Sequence, residues 1–330
     1  MHVKPVSNPP FERSSEHGAA LLTVLLIVAL IAVMAGTALE KLRLSTRIEG
    51  NAIALDQARA YSYAAEALAV TKIDDLLAQA PNRVTLAGGR SERPYSLPIP
   101  GGIATARVRD GGNCFNLNSL VVAVSPGVYA AYTPARLEFA KLIRLVGAPA
   151  SSADSIAAAA SDWMDSDNDP LAGGAEDSSY DGYRTGNTLM ADPSEFRAVH
   201  GVTSDLYAAL RPWLCALPLA ASSSVNVNTL TPEQAPLIAM SLPDGSSIGA
   251  VRQALLRRPP QGFASTSEFW QSPGLAGMAA ASGGQVSVTT GWFDLRVDVR
   301  IGDAELEDHG LIDATKLPAR LATRQWGEPS

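Results

Sequence analysis

The chain has 330 residues, 46% of them hydrophobic, and a formal net charge of −7. The apolar content is sufficient for a folded core and excludes a globally disordered chain, while the negative charge argues against a general nucleic-acid surface, which needs clustered lysine and arginine. The two cysteines, Cys114 and Cys215, are either unrelated buried thiols in a reducing compartment or one disulfide, closing a loop of about 100 residues, in an oxidising one.

An uncharged apolar stretch, residues 19–39, follows a polar segment that contains three prolines. Its 21 residues are enough to span a bilayer as a helix. A core helix of that length would show a polar face, and a secretory signal peptide would have an apolar region of only about 7–15 residues. The stretch is therefore predicted to be a membrane anchor.

Apolar residues continue beyond the anchor at three- and four-residue steps, which is the period of an amphipathic helix. Because no proline occurs between Gly18 and Gln79, a single helix is predicted from about Ala19 to Leu77. At about 1.5 Å per residue, this helix would be roughly 90 Å long, half in lipid and half outside.

Three features together resemble the class III signal of type IV pilins and type II secretion pseudopilins. They are a polar leader (1–18) that ends in glycine, the run Ala-Ala-Leu-Leu-Thr-Val-Leu-Leu-Ile-Val-Ala-Leu, and the long helical continuation. The resemblance implies that a prepilin peptidase cuts after Gly18 and that the new N-terminal residue, Ala19, is N-methylated. It also implies a single-pass protein of the bacterial inner membrane with a periplasmic C-terminal domain, where a disulfide between Cys114 and Cys215 is predicted.

Most members of that family carry glutamate at the fifth mature position, which is Thr23 in this chain. The K-type minor pseudopilin, general secretion pathway protein K, is the member that lacks this glutamate. A carboxylate in lipid is costly unless it is paired, and in the family it pairs with the amine of the subunit ahead. An uncharged Thr23 therefore suits a subunit at the filament tip, which has no subunit ahead of it.

Strands that come early and late in the chain are predicted to form one sheet. Residues 93–109 alternate around a turn at Gly101 and Gly102, and residues 285–290 and 292–301 alternate again near the C-terminus. No structure is predicted for the last thirty residues. Between the strands, capping signals and periodicity predict helices at 134–146, 153–164, 192–200, 203–211, 231–240 and 247–257.

These elements predict an α+β fold in which a long N-terminal transmembrane and stalk helix packs on a small antiparallel sheet, with a large α-helical domain inserted into the sheet. The layout resembles the K-type minor pseudopilin, which has a pilin-like sheet, with markers at 114–120, 162–180 and 225–229. The predicted segments are the leader (1–18), the transmembrane helix (19–39), the periplasmic stalk helix (40–79), the first part of the sheet (80–125), the helical domain (126–280), and the second part of the sheet with the tail (281–330).

An acidic loop lies in the predicted helical domain. Eight acidic residues and no lysine or arginine occur between Arg144 and Arg184. Clustered carboxylates repel one another unless a cation is present, and Ca²⁺ prefers six to eight oxygen ligands. The loop is not an EF-hand, because Pro170 stands where that motif needs glycine. A solvated acidic loop and a catalytic carboxylate pair are the alternatives, the second without a nearby nucleophile.

The resemblance to K-type pseudopilins implies that this loop binds calcium in a structural role, as one or two ions. A metal would offset the ordering entropy of a loop too polar to bury itself. The residues to which the role is carried over are Asp165, Asp167, Glu176 and Asp177, followed by Asp162, Asn168 and Asp169.

Residues 225–234 and 250–269 resemble a helix-hairpin-helix unit of competence-type DNA receptors. In such units a glycine-rich hairpin presents backbone N–H groups to a phosphate. Here Asp244 would face the phosphate, so the similarity indicates the same helical packing without nucleic acid. Two Asn-x-Asn pairs, Asn116 with Asn118 and Asn226 with Asn228, are predicted to cap turns or helices.

The sequence shows no Ser-His-Asp, Cys-His or HExxH arrangement, so an enzyme is not expected. The predicted function is that of a non-catalytic minor pseudopilin at the tip of the type II secretion pseudopilus, needed for pseudopilus assembly and for protein export across the outer membrane. Its expected partners are the I- and J-type minor pseudopilins, the major pseudopilin and the prepilin peptidase. The alternatives are a minor pilin of a type IV pilus and a membrane-tethered helix-hairpin-helix DNA receptor.

Overall fold

A long helix, α1, forms the N-terminal part of the computed structural model, which describes residues 16–85, 94–147, 150–245, 248–278 and 284–327. Helix α1 extends from Glu16 to Gln79 without a break and is about 96 Å long. The prediction of one continuous helix is confirmed, with Pro81 just beyond its end. Residues 1–15 of the predicted leader lie outside the described residues.

The two halves of α1 have different surroundings. Residues 18–53 are exposed throughout, and by length and hydropathy this helix could cross a membrane. From Ala58 onwards, every third or fourth residue is buried against the sheet, as expected for a helix with one packed face. These buried positions are Ala58, Ser62, Ala65, Glu66, Ala69, Ile73 and Leu77.

The sheet on which α1 packs combines early and late strands of the chain. The described strands run in the order β1-β2-β9-β10-β11, and all neighbours are antiparallel. The pairing of β2 with β9 confirms that the early and late strands form one sheet. The strand bounds are Tyr95–Ile99 (β1), Gly102–Asp110 (β2), Trp292–Ile301 (β9), Ala304–Asp313 (β10) and Arg320–Trp326 (β11).

Two details of the predicted strands differ in the structure. Residues 285–290 do not join the five-stranded sheet, because Val286 and Val288 pack into the core of the helical domain. Only Val286–Ser287 (β8) is a strand there, and it pairs in parallel with Val225–Asn226 (β7). The last thirty residues, for which nothing was predicted, supply the whole of β10 and β11.

The helical domain follows β2 and contains six further α-helices in the part of the chain that is described. Residues 192–200 and the start of 231–240 form 3-10 turns instead of the predicted α-helices, each begun by a capping box with proline at the first turn. The short helix α7 was not predicted. The bounds are Thr133–Val146 (α2), Ala150–Asp162 (α3), Ser204–Leu210 (α4), Pro236–Ala239 (α5), Ile248–Leu256 (α6) and Thr266–Trp270 (α7).

Three short strand pairs complete the helical domain. Strand β3 (Phe115–Asn116) pairs in parallel with β6 (Leu214–Cys215), and β4 (Val121–Ser125) forms a hairpin with β5 (Val128–Ala131). The disulfide between Cys114 and Cys215 lies beside the first pair and joins Cα atoms 5.7 Å apart, which confirms the predicted bond. It ties the start of the helical domain to a segment 101 residues later.

Two hydrophobic clusters make up the core. One lies between α1 and the five-stranded sheet, and the other fills the helical domain. Residues 115–121 and 286–288 pack in the helical cluster, although the predicted boundaries placed them in the two parts of the sheet. The packing thus places the crossings between the domains near Gly111 and Gly291, where the Gly111 N–H donates to the carbonyl of Trp292.

Candidate metal centre

The acidic loop begins at Asp162, the last residue of α3. The buried carboxylate of Asp162 accepts hydrogen bonds from the N–H groups of Leu171 and Ala175, the latter at 2.8 Å, so it folds the loop back on the helix end. Gly174 lies so close that a Cβ atom there would stand 1.9 Å from Asp162 Oδ2. Asp162 therefore closes the loop by accepting hydrogen bonds from backbone N–H groups of the loop itself.

Three carboxylates converge inside the closed loop. Ligand oxygens of Asp165, Asp167 and Glu176 all lie within 4.8 Å of one another. Asp165 is 2% exposed and Glu176 is 3% exposed, whereas Asp167 faces solvent. One buried oxygen of Asp165 and both oxygens of Glu176 have no hydrogen-bond partner among the described residues. Buried carboxylates without donors are unfavourable, so this arrangement calls for a positive ligand.

The electrostatics of the buried carboxylates of the loop agree with its geometry. Burial, together with the charges of Asp167 and Asp162, raises the pKa of Asp165 to about 7. Burial and the neighbouring carboxylates likewise raise the pKa of Glu176 to about 7. Burial also raises the pKa of Asp162, to about 6, against the lowering effect of its backbone hydrogen bonds. A bound cation would reverse these shifts by stabilising the ionised forms.

The other predicted ligands lie outside the three-carboxylate cluster. Asp177 Oδ1 accepts hydrogen bonds from the N–H and hydroxyl of Thr185, at 3.0 and 2.9 Å, and Arg184 lies 3.8 Å from the other oxygen. Asn168 and Asp169 are exposed, and the Asp169 N–H donates to Asp167. Of the seven predicted residues, Asp165, Asp167 and Glu176 are the ones brought together.

Asn187 is a polar residue of this region that the sequence did not single out. Its side-chain oxygen is buried without a partner among the described residues, and its N–H donates to the carbonyl of Trp163 at 3.0 Å. Asn187 also has a positive φ of 46°, a conformation that asparagine tolerates better than most residues. No acidic pattern surrounds it in the sequence, so only the fold reveals it.

The donor set fits a hard divalent cation. Carboxylate oxygens are the ligands that Ca²⁺ prefers, and unpartnered buried oxygens are what a bound ion would satisfy. The two buried carboxylates stand on the protein side and the exposed Asp167 stands on the solvent side, so water can complete the coordination. The edge-on contact of Trp163 with Tyr180, with ring centroids 5.5 Å apart, gives the loop an apolar support.

The anchor residues lie on the exposed part of α1. Gly18 has no other part of the chain within 4 Å of where its Cβ would be, and Ala19 is exposed. The Thr23 hydroxyl donates to the carbonyl of Ala20 at 2.9 Å, so its hydrogen-bonding capacity is met within the helix. Thr23 therefore needs no partner from another subunit, unlike a glutamate at that position.

The segment that resembles a DNA-binding hairpin is used for internal contacts. Asp244 forms an ion pair with Lys141 at 2.9 Å. The guanidinium of Arg258 donates to the carbonyls of Val227 and Leu230, at 2.9 and 2.7 Å. Residues 246–247 of the hairpin lie outside the described residues. In the described part, Asp244 and Arg258 thus make contacts within the helical domain, whereas Arg252 and Arg257 are exposed.

Comparison with known proteins gives consistent matches. Two family models, both described as type II secretion system (T2SS) protein K, match residues 113–219 and 225–289. Type II secretion system protein K of Pectobacterium carotovorum subsp. carotovorum is 34% identical over 96% of this chain and 98% of its own length. The Klebsiella pneumoniae protein of the same name is 32% identical over 94% and 97%.

Among solved structures, a chain of the GspK–GspI–GspJ complex from the enterotoxigenic Escherichia coli type 2 secretion system has a similar fold. The TM-score is 0.71 at 29% sequence identity, and the match covers 83% of this chain and 96% of that one. The likeness therefore extends over most of the chain.

Proposed function

Because the chain belongs to the type II secretion system protein K family, whose members are minor pseudopilins, we propose that it occupies the tip of the pseudopilus and is needed for its assembly and for protein export. The observation that carries this proposal is the fold likeness to a chain of the GspK–GspI–GspJ complex. By that likeness, the I- and J-type minor pseudopilins are its neighbours in a tip complex, with the major pseudopilin below. The role is one of binding, without catalysis.

Features of α1 support a place at the tip. Residues 40–53 lie beyond the predicted anchor, yet they are exposed and include the apolar side chains Leu42, Leu44, Ile48 and Ile53. These side chains are available to pack against helices of other subunits. Thr23 requires no partner ahead of it, and the helical domain adds a bulk that would obstruct a further subunit above.

We also infer how the protein reaches this position. A prepilin peptidase removes the leader after Gly18, Ala19 is methylated, and α1 anchors the chain in the inner membrane with its domains in the periplasm. The Cys114–Cys215 disulfide supports this orientation, because such bonds persist in the periplasm and are rare in the cytosol.

Calcium is proposed as the structural ligand of the acidic loop. Asp165, Asp167 and Glu176 would hold one ion, and Asp177 or Asp169 would contribute to a second ion only if the loop rearranged. The bound ion would neutralise the mutual repulsion of the three carboxylates and fix the loop between α3 and the 3-10 turn that Asp177 begins.

The tip position is tested by immunogold labelling of pseudopili in a strain that overproduces the major pseudopilin. An antibody against the helical domain is expected to label one end of each filament. Label spaced along the filament would contradict a tip position. In a strain lacking the gene, protein export should stop and return with the wild-type chain.

Calcium binding is tested on the full chain in detergent, by thermal unfolding with excess calcium and with chelator. Calcium is expected to raise the Tm of the wild type by about 5–10 °C. In the Asp165→Asn/Glu176→Gln variant this response should be lost, while the Tm in chelator should not fall, because the repulsion is removed as well.

The matched control is Asp181→Asn/Asp303→Asn, which removes two exposed acidic charges away from the cluster. This control should keep the calcium response of the wild type. A wild-type chain whose Tm is the same in calcium and in chelator would rule out the proposed metal role, but would leave the tip proposal standing.

A further inference from the structure

A separate cavity of about 440 Å³ lies in the helical domain, beside the loop that follows the acidic cluster. This loop, the 3-10 turn Pro193–Ala198, helix α4 and the connection between the last two contribute its lining. The volume is within the range of small-molecule sites, about 300–1,000 Å³. The aromatic and polar side chains of the lining are Tyr183, Tyr207, Arg197, Ser194, Thr203 and Ser204.

The ring of Tyr183 is held in place and still exposed. Its hydroxyl donates a hydrogen bond to the carbonyl of Ala198 at 3.0 Å, which ties the loop to the 3-10 turn. The rings of Tyr180 and Trp163 also contact it, with centroids 5.2 and 6.1 Å away. Tyr183 nevertheless remains 49% exposed. It therefore offers a positioned aromatic surface to a ligand.

Arg197 gives the cavity a positive charge that its lining does not neutralise. The guanidinium lies 5.7 Å from the centroid of the Tyr207 ring, and it forms no ion pair with any residue in the described part of the chain. None of the described acidic residues lines the cavity. The carboxylate of Glu195, two residues earlier, accepts hydrogen bonds from the N–H groups of Ala191 and Asp192.

Three hydroxyl groups accompany this charge, those of Ser194, Thr203 and Ser204. A hydroxyl can donate one hydrogen bond and accept two. Even Thr203, whose hydroxyl accepts the N–H of Leu206 at 3.2 Å as the cap of α4, keeps its own proton to donate. The lining is thus able to donate to the hydroxyl groups of a ligand and to accept from them.

We propose that this cavity binds a sugar that carries a carboxylate. The carboxylate pairs with Arg197, because a guanidinium recognises carboxylates through two parallel hydrogen bonds. The apolar C–H face of the sugar ring packs on Tyr183, since a tyrosine ring is an apolar surface with a polar tip. The hydroxyl groups of the sugar bond those of the lining. This site is independent of the proposed subunit contacts and of the calcium site.

Other classes of ligand fit this lining less well. An apolar peptide would cover Arg197 without pairing its charge, which is unfavourable. A nucleic acid needs several lysines or arginines along its phosphates, and Arg197 is the only basic residue among the described ones that line the cavity. A neutral sugar would use the ring and the hydroxyl groups but not the charge.

The proposal is tested by isothermal titration calorimetry with the full chain in detergent, at fixed excess calcium. The probe is N-acetylmuramic acid, and N-acetylglucosamine is the same sugar ring without the carboxylate. The acidic sugar is expected to bind with a Kd of about 1 mM or below. The neutral sugar should bind about tenfold more weakly, because it lacks the hydrogen bonds to a charged group.

Two kinds of variant separate the charge from the ring. Arg197→Gln should weaken binding of the acidic sugar about tenfold and abolish its advantage over the neutral one. Tyr183→Leu should weaken both sugars, while Tyr183→Phe keeps the ring and should restore binding. The matched controls are Arg252→Gln and Tyr95→Leu, which change exposed residues outside the cavity and should bind like the wild type.

The thermal stability of each variant is checked first, so that a loss of binding is not mistaken for a loss of folding. The proposal is overturned if the acidic sugar does not bind at about 10 mM, or if the two sugars bind the wild type equally. It is also overturned if Arg197→Gln keeps the preference for the acidic sugar. Inorganic phosphate that displaces the sugar and binds more tightly would assign the cavity to a simple anion instead.

Discussion

Four buried asparagines, Asn116, Asn118, Asn226 and Asn228, connect segments that lie far apart in the chain. Asn118 shows the principle: its amide nitrogen donates to the carbonyls of Met190 and Leu217, and its oxygen accepts from the N–H of Met190. The predicted capping role holds locally, since Asn116 caps the 3-10 turn after it, but the sequence could not show the distant partners.

Replacing Asn118 should therefore cost more than removal of a turn cap. We expect Asn118→Ala to lower the free energy of unfolding by about 2–4 kcal/mol, because buried backbone groups of Met190 and Leu217 would lose their partner. Urea unfolding measures the change. Gln253→Ala, which removes an exposed amide on α6, is the control and should change stability by less than about 0.5 kcal/mol.

Gly174 should tolerate no side chain. Gly174→Ala would place a methyl group 1.9 Å from Asp162 Oδ2, so the loop must open or Asp162 must give up its bond to Ala175. A loss of about 1–3 kcal/mol is expected, measured by chemical denaturation. Gly50→Ala, whose Cβ would have no neighbour within 4 Å, should not destabilise the chain, and equal losses in both variants would contradict this explanation.

At this scale the sequence predicted the acidic loop but not its internal arrangement. Asp165, Asp167 and Glu176 form the cluster because Asp162 uses its own carboxylate to close the loop, whereas Asp177 is turned towards Thr185. These outcomes depend on which oxygens the backbone satisfies, and spacing along the chain carries no information about that.

At the scale of elements, α1 and the sheet are joined by buried polar contacts as well as apolar ones. Arg324 of β11 forms a two-bond ion pair with Glu66 of α1, and the hydroxyl of Ser62 donates to Asp308 of β10. Asp308 points inwards, in line with the apolar residues of its strand. This interruption of the apolar alternation explains why β9 could be predicted while β10 could not. Strand β11 is exposed over most of its length, so it has no buried apolar face that a pattern could show.

The stability of this contact should depend on pH through Asp308. Burial and the neighbouring Glu66 raise the pKa of Asp308 to about 6, above its value of about 4 in the unfolded chain. The native state thus holds the proton more tightly, so the contribution of Asp308 is complete below pH 4 and is lost as the pH rises to about 6.

Asp308→Asn should remove this part of the pH dependence, because asparagine resembles the protonated carboxyl. The free energy of unfolding of the variant, minus that of the wild type, is expected to rise by about 1–3 kcal/mol between pH 4 and pH 7. Unfolding is measured across this range at fixed calcium, so that the acidic loop titrates equally in both proteins. A difference that stays flat with pH would refute the assignment.

At the scale of the whole molecule, the chain leaves the sheet after β2 and returns to it at β9, so the helical domain is an insertion with its own hydrophobic cluster. This arrangement could be predicted because strand patterns flank helical ones. The points where the chain passes between the sheet and the helical domain could not be placed correctly. Residues 115–121 and 286–288 have strand-like or apolar patterns that would suit either domain. Only the packing of Val286 and Leu117 shows which core they join.

The same division makes the first half of α1 dispensable for folding of the rest. Residues 18–53 are exposed throughout, so they contribute no buried contact to either cluster. Removing residues 1–44 should therefore change the Tm by less than about 2 °C, measured by circular dichroism against the full chain in the same detergent.

Removing residues 1–69 is the matched comparison, because it deletes Ala58, Ala65 and Glu66 and so uncovers the sheet. If the shorter truncation destabilised the protein as much as the longer one, the exposed half of α1 would have to support the fold. The expected contrast is instead that of a helix whose second half folds with its own sheet while its first half is free for lipid and for other subunits.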